Sequence, residues 1–212
     1  MRKIANLTLD SPLILAPMAG ITNMAFRSIC IEHGASMVYA EMVSDKGLLY
    51  DNNKTISMLR VSPNEHPIAM QLFGSSVETL TEAAKIVEQE CDCDIIDINM
   101  GCPVNKVIKS GSGSALLKEP QKIFEIIKSL KETIKKPISI KIRAGWDHDS
   151  INCDEVVRLA ESAGVDAIAI HARTRSMMYR GNANIEFIKK ARSATNCFLI
   201  GNGDISTTED VK

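Results

Sequence analysis

The chain has 212 residues, of which 45% are hydrophobic and 24% charged, so it can bury a sizeable core and is not a disordered protein. Its formal net charge of −1 excludes a general attraction to polyanions, and any contact with nucleic acid must come from a local patch. Six irregularly spaced cysteines, together with the lack of any run that reaches the ~18 apolar residues of a membrane span, favour a cytoplasmic protein without disulfides or membrane contact.

Seven short apolar segments predict β-strands. In chain order they are PLILAPM, SMVYAEM, IAMQLFG, DIIDINMG, PISIKIR, VDAIAIHA and CFLIGNG. From the second onward, a polar residue stands at or near the end of each segment: Glu41, Gln71, Asn99, Lys141, His171 and Asn202. The carboxyl ends of the strands of a barrel face one mouth, so we expect these side chains to meet there.

Helical spacing fills the stretches between several of these strands. The segment SSVETLTEAAKIVEQE repeats apolar residues every three or four positions and is predicted to open with a capping box of Ser75 and Glu78. Two later segments have the same pattern: Ile123, Ile126, Ile127, Leu130 and Ile134 in one, and Val156, Val157, Leu159, Ala160 and Ala163 in the other. Alternating strands and helices of this length predict parallel strands joined by crossover helices.

This order predicts an α/β fold, and the (β/α)₈ TIM barrel is the preferred architecture. A doubly wound open sheet would gather polar residues only near its switch point, whereas six strands here end in them. We expect the barrel to be incomplete, with about seven βα units, because a full barrel has eight strands and ~250 residues. Residues 1–212 are therefore predicted to form one truncated barrel domain.

The segment DIIDINMGCPVNKV, residues 94–107, contains the most specific catalytic candidate, Cys102. Gly101 lets the chain leave the strand sharply and Pro103 holds Cys102 in extended backbone, so the thiol is expected to point in a fixed direction. With an ordinary pKa near ~8.5, the thiol would be mostly protonated at pH 7 and could serve as a proton donor or a nucleophile. The alternative is a cysteine buried as a small apolar residue.

The remaining cysteines carry no comparable signal. Cys30, Cys153 and Cys197 are interpreted as structural. Cys91 and Cys93 form a pair, but no second pair or nearby histidine completes a four-ligand zinc site, and no metal is predicted.

Lys141 and His171 end neighbouring strands and are expected to point into the same mouth. A lysine there can stabilise negative charge that develops on a flavin ring, and an imidazole can donate a hydrogen bond to the ring or to a substrate. Taken singly, each is equally compatible with an ordinary solvated residue. Together with Gln71 and Asn99 they form a predicted ring of hydrogen-bond donors.

The segment IGNGDIST has the character of an anion site. It ends a strand in Asn202, Gly203 and Asp204 and then offers Ser206 and Glu209 as a predicted helix-opening box. Glycine lets the backbone approach an anion, and the free N–H groups of a helix start favour phosphate. A glycine turn with an ordinary cap is the alternative.

The segment HARTRSMMYRG is basic, with Arg173, Arg175 and Arg180 and no acid. Near the mouth, such a loop could hold phosphates and stack a base on its tyrosine. Lys106 and Lys109, from the loop after Cys102, would add to it. As an isolated patch it would be an ordinary solvated loop.

Six segments resemble those of one family. LAPMAGITNMAFR, AMQLFG, DINMGCPVNKVIKSGSGSALL, KIRAGW, IHARTR and IGNGDI occur in the order, and at about the spacing, seen in the tRNA-dihydrouridine synthases. The chain is most similar to the bacterial B-type branch, from about residue 10 to its end. The Gly-Cys-Pro element followed by Lys106 is the most specific match.

The resemblance implies an FMN enzyme in which NADPH reduces the flavin and the flavin passes hydride to carbon 6 of a uridine in tRNA. Cys102 matches the family's proton donor to carbon 5. The implied cofactor-binding residues are Pro17, Met18, Ala19, Gln71, Lys141, His171, Asn202, Gly203 and Asp204. The predicted substrate-binding residues are Asn99, Lys106, Arg143, Arg173 and Arg175, around a uridine that is turned out into the pocket.

The sequence departs from the family pattern at its end, because relatives continue through a further strand with a Gly-Arg phosphate contact and a helical domain that grips tRNA. We therefore expect the 212-residue chain to bind FMN weakly and to turn over little tRNA. One alternative is an inactive remnant that at most binds RNA or a partner. Another is an FMN barrel oxidoreductase of free pyrimidines that resembles dihydroorotate dehydrogenase, which the basic loop and the Gly-Cys-Pro element disfavour.

Overall fold

The computed structural model describes residues 2–211. The chain opens with an antiparallel hairpin of β1 (Arg2–Ile4) and β2 (Leu7–Leu9). Eight parallel strands follow and form one curled sheet: β3 (Ile14–Leu15), β4 (Met37–Tyr39), β5 (Val43–Ser44), β6 (Ile68–Phe73), β7 (Ile95–Met100), β8 (Ile138–Arg143), β9 (Ala167–His171) and β10 (Phe198–Asn202).

The order of the strands across the sheet is β10, β9, β8, β7, β6, β4 and β3. Because β4 and β5 both pair with β6, they occupy one position, and the sheet has seven positions in all. Within residues 2–211 the edge strands β3 and β10 do not pair with each other. The seven predicted strands and the incomplete (β/α)₈ barrel are thus confirmed, whereas the hairpin was not predicted.

Helices lie between the strands and cover the sheet. Their bounds are α1 (Met24–Glu32), α2 (Asp45–Leu49), α3 (Asn53–Ser57), α4 (Val77–Glu90), α5 (Asn105–Ile108), α6 (Pro120–Thr133), α7 (Cys153–Ser162) and α8 (Ile185–Ser193). Short 3₁₀ turns cover Pro63–Glu65, Gly113–Lys118 and Glu209–Val211. Among the residues described, no helix has both the length and the apolar character to cross a membrane.

Alternation along the strands sends apolar side chains into two layers. One layer lies between the sheet and the helices and includes Ile98 and Ile140, both fully buried. The other lies inside the curled sheet, where Tyr39 and Ile95 pack against Ile4 of the hairpin. Burial of each such side chain contributes about 1.5 to 3 kcal/mol. Since the inner apolar layer contains residues at the starts of strands, the inner face near the strand ends is left for polar groups.

The predicted capping box of α4 is wrong by one residue. Ser76 is the N-cap: its hydroxyl accepts from the N–H of Thr79 at 3.3 Å and also bonds the carboxylate of Glu78. Ser75 instead donates to the carbonyl of Ser110 at 2.8 Å. The reason is reach, because a capping hydroxyl must accept from the second or third residue of the helix and Ser75 lies one position too early.

The predicted helix opening at Ser206 and Glu209 also differs from the structure. The N–H groups of Ser206 and Thr207 donate to the carboxylate of Asp210 at 2.9 and 2.7 Å. This turn is therefore fixed by an acid that follows it, and the described residues continue only into a 3₁₀ turn. Lys212, the end of the predicted segment, lies outside the described residues.

A buried ion pair fastens the first helix to the loop before β6. Nη2 of Arg27 lies 3.0 Å from Oε2 of Glu65, and the two side chains are 4% and 0% exposed. Arg27 also donates to the carbonyl of Thr22 at 3.0 Å, and Glu65 accepts from the N–H of Ser62 at 3.0 Å. Removal of one buried partner leaves the other charge uncompensated.

We expect Glu65→Gln to lower the free energy of unfolding by about 3 to 5 kcal/mol, because the Arg27 guanidinium would stay buried without its counter-charge. Urea denaturation followed by circular dichroism measures the change. The control is Glu82→Gln on α4, which removes an exposed pair with Lys85 and should cost less than about 1 kcal/mol. Equal losses in the two variants would contradict the importance of the buried pair.

Candidate functional site

The carboxyl ends of the strands surround a cavity of about 1030 Å³. The pairing of neighbouring strands places polar side chains in three rows across the inner face of the sheet, and successive rows are two residues apart along the strands. The first row contains Gln71, Asp97 and Ser139, and the second contains Asn99 and Lys141. The third contains Arg143, His171 and Asn202. Of the predicted site residues, the structure brings thirteen to the cavity wall: Pro17, Met18, Ala19, Gln71, Asn99, Cys102, Lys141, Arg143, His171, Arg173, Asn202, Gly203 and Asp204. Lys106 and Arg175 do not line the cavity.

A fully buried carboxylate lies beneath the cavity. Oδ1 of Asp97 accepts from Oγ of Ser139 at 2.5 Å, and Oδ2 accepts from Nε2 of Gln71 at 2.6 Å. Burial raises the pKa of Asp97, while these hydrogen bonds and the charge of Lys141 act in the opposite direction. Oε1 of Gln71 in turn accepts from Nδ2 of Asn99 at 2.9 Å.

The same chain of hydrogen bonds continues into residues 101–104, which join β7 to α5 and which we call the Cys102 loop. Oδ1 of Asn99 accepts from the N–H of Gly101 at 3.2 Å and from that of Cys102 at 2.9 Å. On the other side, the carbonyl of Cys102 accepts from the N–H of Ser114 at 3.0 Å. Gly113 (φ 61°) permits this approach, since a Cβ there would lie 2.8 Å from the carbonyl oxygen of Cys102. The backbone of Cys102 is therefore held from both sides.

The thiol of Cys102 is half-buried at the cavity wall. Burial raises its pKa above the ordinary cysteine value, and the N–H of Val104 and the charge of Arg143 oppose that rise only partly. The group is therefore a protonated thiol at pH 7. A proton donor needs this state, whereas a nucleophilic cysteine would require a lowered pKa.

Lys141 brings one donor to the middle of the cavity. Its Nζ donates to Oδ1 of Asn202 at 2.8 Å, which joins β8 to the end of β10 across the intervening strand. Burial lowers the pKa of Lys141 to about 8, although the carboxylate of Asp97 acts against the shift. The ammonium form predominates at pH 7 and is lost as the pH rises through about 8.

His171 is neutral at pH 7 and has an unused ring nitrogen. Burial, followed by the charges of Arg143 and Lys141, lowers its pKa to about 3. Its Nδ1 is buried and has no hydrogen-bond partner. Gly203 (φ 115°) lies beside the ring, and a Cβ there would be 3.2 Å from Cε1 of His171. A buried polar atom without a partner at a cavity wall indicates a position that a bound group can complete.

Two predicted substrate-binding arginines are bonded to backbone. Arg143, 3% exposed, donates from Nε to the carbonyl of Gly101 at 2.9 Å and from Nη1 to those of Thr174 and Met178 at 2.9 and 2.7 Å. It thereby ties the Cys102 loop to the basic loop that follows β9. Its Cζ also lies 5.5 Å from the ring centroid of Tyr179.

Arg173 is fixed in a similar way. It donates to the carboxylate of Asp204 at 2.7 and 2.8 Å and to the carbonyl of Gly181 at 2.7 Å. Asp204 also accepts from the N–H of Ala183 at 2.7 Å. The carboxylate of Asp204 therefore serves to hold the basic loop, and only the backbone of its own loop remains suited to an anion.

The first predicted cofactor loop, Pro17 to Ala19, is held by a buried threonine. The N–H of Met18 donates to Oγ1 of Thr22 at 3.1 Å, and the carbonyl of Met18 accepts from the N–H of Thr22 at 3.0 Å. The N–H of Gly20 donates to the carboxylate of Glu41. Thr22 was not anticipated, although its position four residues after Met18 suits such a turn.

A family model described as Dihydrouridine synthase (Dus) matches residues 14–212. The chain belongs to the dihydrouridine synthase family. It is similar to the tRNA-dihydrouridine synthase B of Vibrio vulnificus, with 40% identity over 211 residues that cover 99% of this chain and 65% of the relative. For the tRNA-dihydrouridine synthase B of Pseudomonas aeruginosa the identity is 40% over 210 residues, which cover 99% and 63%.

The fold is also found in larger proteins among the solved structures. Histamine dehydrogenase from Rhizobium sp. 4-9 aligns with a TM-score of 0.73 at 12% identity, over 99% of this chain and 42% of that protein. A variant of NCR from Zymomonas mobilis aligns with a TM-score of 0.67 at 12% identity, over 97% and 78%. At this identity the likeness concerns the fold alone. It supports the barrel architecture of this dihydrouridine synthase family member.

We expect the Cys102 thiol to react slowly with iodoacetamide at pH 7 and to gain rate up to and beyond pH 9, because burial keeps it protonated. Mass spectrometry after cleavage before Asp97, which separates Cys102 from Cys91 and Cys93, distinguishes it from the five other cysteines. The control is the same peptide in urea-denatured protein, which should react faster at every pH. A native rate that levels off below pH 8 would indicate a thiolate and would contradict the assignment.

Proposed function

We propose that residues 1–212 form the FMN-binding catalytic barrel of an oxidoreductase that reduces uridine in tRNA to 5,6-dihydrouridine. Family membership supports the reaction class. The observation that carries the proposal is the protonated thiol of Cys102, held by Asn99 at the wall of a cavity that also contains Lys141 and His171. Because tRNA is the proposed substrate, we also propose a cytoplasmic location.

The cavity residues fit FMN. The cavity has a volume of about 1030 Å³, which can hold FMN together with a base, since ligand pockets span about 300–1,000 Å³. The unpartnered Nδ1 of His171 and the ammonium of Lys141 offer two polar contacts. Gln71, the loop from Pro17 to Ala19 and the backbone from Asn202 to Asp204 supply the remaining proposed contacts. Glycine at position 203 lets that backbone approach an anionic group closely.

Cys102 supplies the proton of the reaction. FMN, once reduced by NADPH, would provide the hydride that is added to carbon 6 of the uracil. The thiol of Cys102 then gives its proton to carbon 5, so that the double bond is saturated and the sulfur becomes a thiolate. Burial raises the pKa of this thiol, and the positive charge of Arg143 opposes that rise. Arg143 therefore stabilises the thiolate until a proton from solvent restores the thiol.

The proposed substrate contacts divide into two kinds. Asn99, Arg143 and Arg173 order the loops around the uracil, and Asn99 lies next to Cys102 in the hydrogen-bond chain. Lys106 and Arg175 stand at the rim, outside the cavity wall, where they can contact the RNA backbone. A uridine in folded RNA must be turned out of its stack to reach Cys102, which costs about a few kcal/mol.

The cofactor assignment predicts an FMN affinity that depends on Lys141. Lys141→Met should weaken FMN binding about tenfold or more, because a charged hydrogen bond contributes about 1.5 to 3 kcal/mol. In the unaltered protein, affinity should fall as the pH rises through about 8, where Lys141 loses its proton, and the variant should lack this dependence. Flavin fluorescence titrations at pH 7 and 9 measure both effects. The control, Lys85→Met on the outer face of α4, should bind FMN normally; a weakened control or an unaffected Lys141→Met would count against the assignment.

The reaction assignment predicts that Cys102→Ala slows dihydrouridine formation by about 10² to 10⁴, the usual contribution of a general acid. Protein that contains residues 1–212, saturated with FMN and reduced by NADPH without oxygen, is mixed with unmodified tRNA and the return of the flavin absorbance is followed. Reduction by NADPH should be unchanged in the variant, and Cys30→Ala should behave as unaltered protein. Reoxidation by orotate, whose carbon 5–carbon 6 double bond can accept the hydride, instead of by tRNA would identify a reductase of free pyrimidines.

A further inference from the structure

The single tryptophan of the chain contacts two cations beyond the carboxyl ends of the strands. Nζ of Lys118 is 3.6 Å from the ring centroid of Trp146, and Cζ of Arg175 is 4.4 Å from it. Lys118 follows β7, Trp146 follows β8 and Arg175 follows β9. Because β7 and β9 lie on either side of β8, the three residues come from loops that follow three neighbouring strands. We call Lys118, Trp146 and Arg175 the indole cluster.

Arg175 is held rigidly in this cluster. Its backbone N–H donates to the carbonyl of Gly145 at 2.9 Å, and its Nη2 donates to Oδ1 of Asn105 at 3.2 Å. Its Nε is buried and has no partner. The guanidinium thus keeps donors unused and a full charge that no described acid neutralises. Such a fixed planar fork is suited to bind a phosphate.

The surroundings of the cluster are also basic. Lys106, one residue beyond Asn105, is exposed and forms no ion pair within residues 2–211. The acid that interacts with Lys118 is Asp147. Its carboxylate already accepts from Oγ of Ser150 at 2.5 Å and from the N–H of Asp149 at 3.2 Å. Asp147 keeps its negative charge and offsets one of the three positive charges of Lys106, Lys118 and Arg175, so these four residues together remain positive.

We propose that the indole cluster binds phosphate groups of the RNA backbone next to the reacting uridine. This assignment rests on the proposed function for tRNA as substrate. The two cations already contact the ring of Trp146 and bring two positive charges together, which favours a phosphate over a stacked nucleobase as the ligand. The indole orients the two cations by cation–π contact, and the cluster fixes the position of the RNA without reading its sequence.

The experiment uses Lys118→Gln, Arg175→Gln and the double variant. Loss of one phosphate contact should lower the slope of log K against log salt by about 1 and weaken tRNA binding roughly tenfold at 0.1 M salt. The double variant should lose about two units of slope. The matched control is Lys128→Gln, which removes an exposed lysine 6.0 Å from the ring centroid of Phe124 on α6 and should bind as unaltered protein does.

Trp146 is itself the reporter, since its fluorescence is the only tryptophan signal of the chain. Excitation at a wavelength that tRNA does not absorb should show a change of emission on addition of tRNA, absent from the double variant. Unchanged affinity, slope and emission in the double variant, while unaltered protein binds tRNA, would overturn the assignment and leave the proposed function intact. No salt-dependent binding of tRNA by unaltered protein would overturn both.

NADPH is the other proposed source of a phosphate, and it requires a separate measurement. Flavin reduction by NADPH should have the same concentration dependence in the variants as in unaltered protein. A raised half-saturating concentration of NADPH, with tRNA binding unaffected, would assign the cluster to the nucleotide and overturn its assignment to RNA. Arg175→Lys, which retains the charge, should recover most of the salt slope; a loss equal to that of Arg175→Gln would indicate a structural role.

Discussion

The buried carboxylate of Asp97 sets the direction of the hydrogen bonds that run through Gln71 and Asn99 to the backbone of Cys102. Because the two oxygens of Asp97 accept, Gln71 must present its NH₂ group to it, and its carbonyl oxygen is left for Asn99. Asn99 must then present its own NH₂ group to Gln71, so its oxygen faces the N–H of Cys102. Neither amide can flip without leaving a buried polar atom unpaired, at a cost of about 1 to 3 kcal/mol.

The fixed direction of these hydrogen bonds connects the interior of the barrel to the backbone that carries the Cys102 thiol. Arg143 extends this hydrogen-bond network towards the surface. It donates to the carbonyl of Gly101 on one side and to those of Thr174 and Met178 on the other. The Cys102 loop and the basic loop are thus fixed to the same side chain. A group bound to the basic loop would act on the position of Cys102 through one arginine, and the proposed proton transfer would need little reorganisation.

The sequence was sufficient for the seven positions of the parallel sheet and for thirteen residues of the cavity wall, because alternation and strand ends are local patterns. It did not separate Ser75 from Ser76 as a cap, since both precede the same helix and only backbone geometry decides which hydroxyl reaches. Asp97 was overlooked although it lies two residues before Asn99 and must share its face. Arg143 and Arg173 looked like free cations because a sequence cannot show which carbonyls surround a guanidinium. The contacts of Trp146 with Lys118 and Arg175 could not be predicted either, since the two cations come from separate loops.

Several positive groups lie close together in the cavity, and a bound anion would reduce the repulsion between them. Lys141, Arg143 and Arg173 all lower the pKa of His171, and Arg143 contributes to the lowered pKa of Lys141. An anionic group bound among them would favour the protonated form of each. By linkage, such a group binds more tightly as the pH falls through about 8, where Lys141 gains its proton. Burial is the main cause of the low pKa of this lysine and Arg143 adds to it, so a bound anion that offsets the positive charge would raise the pKa again.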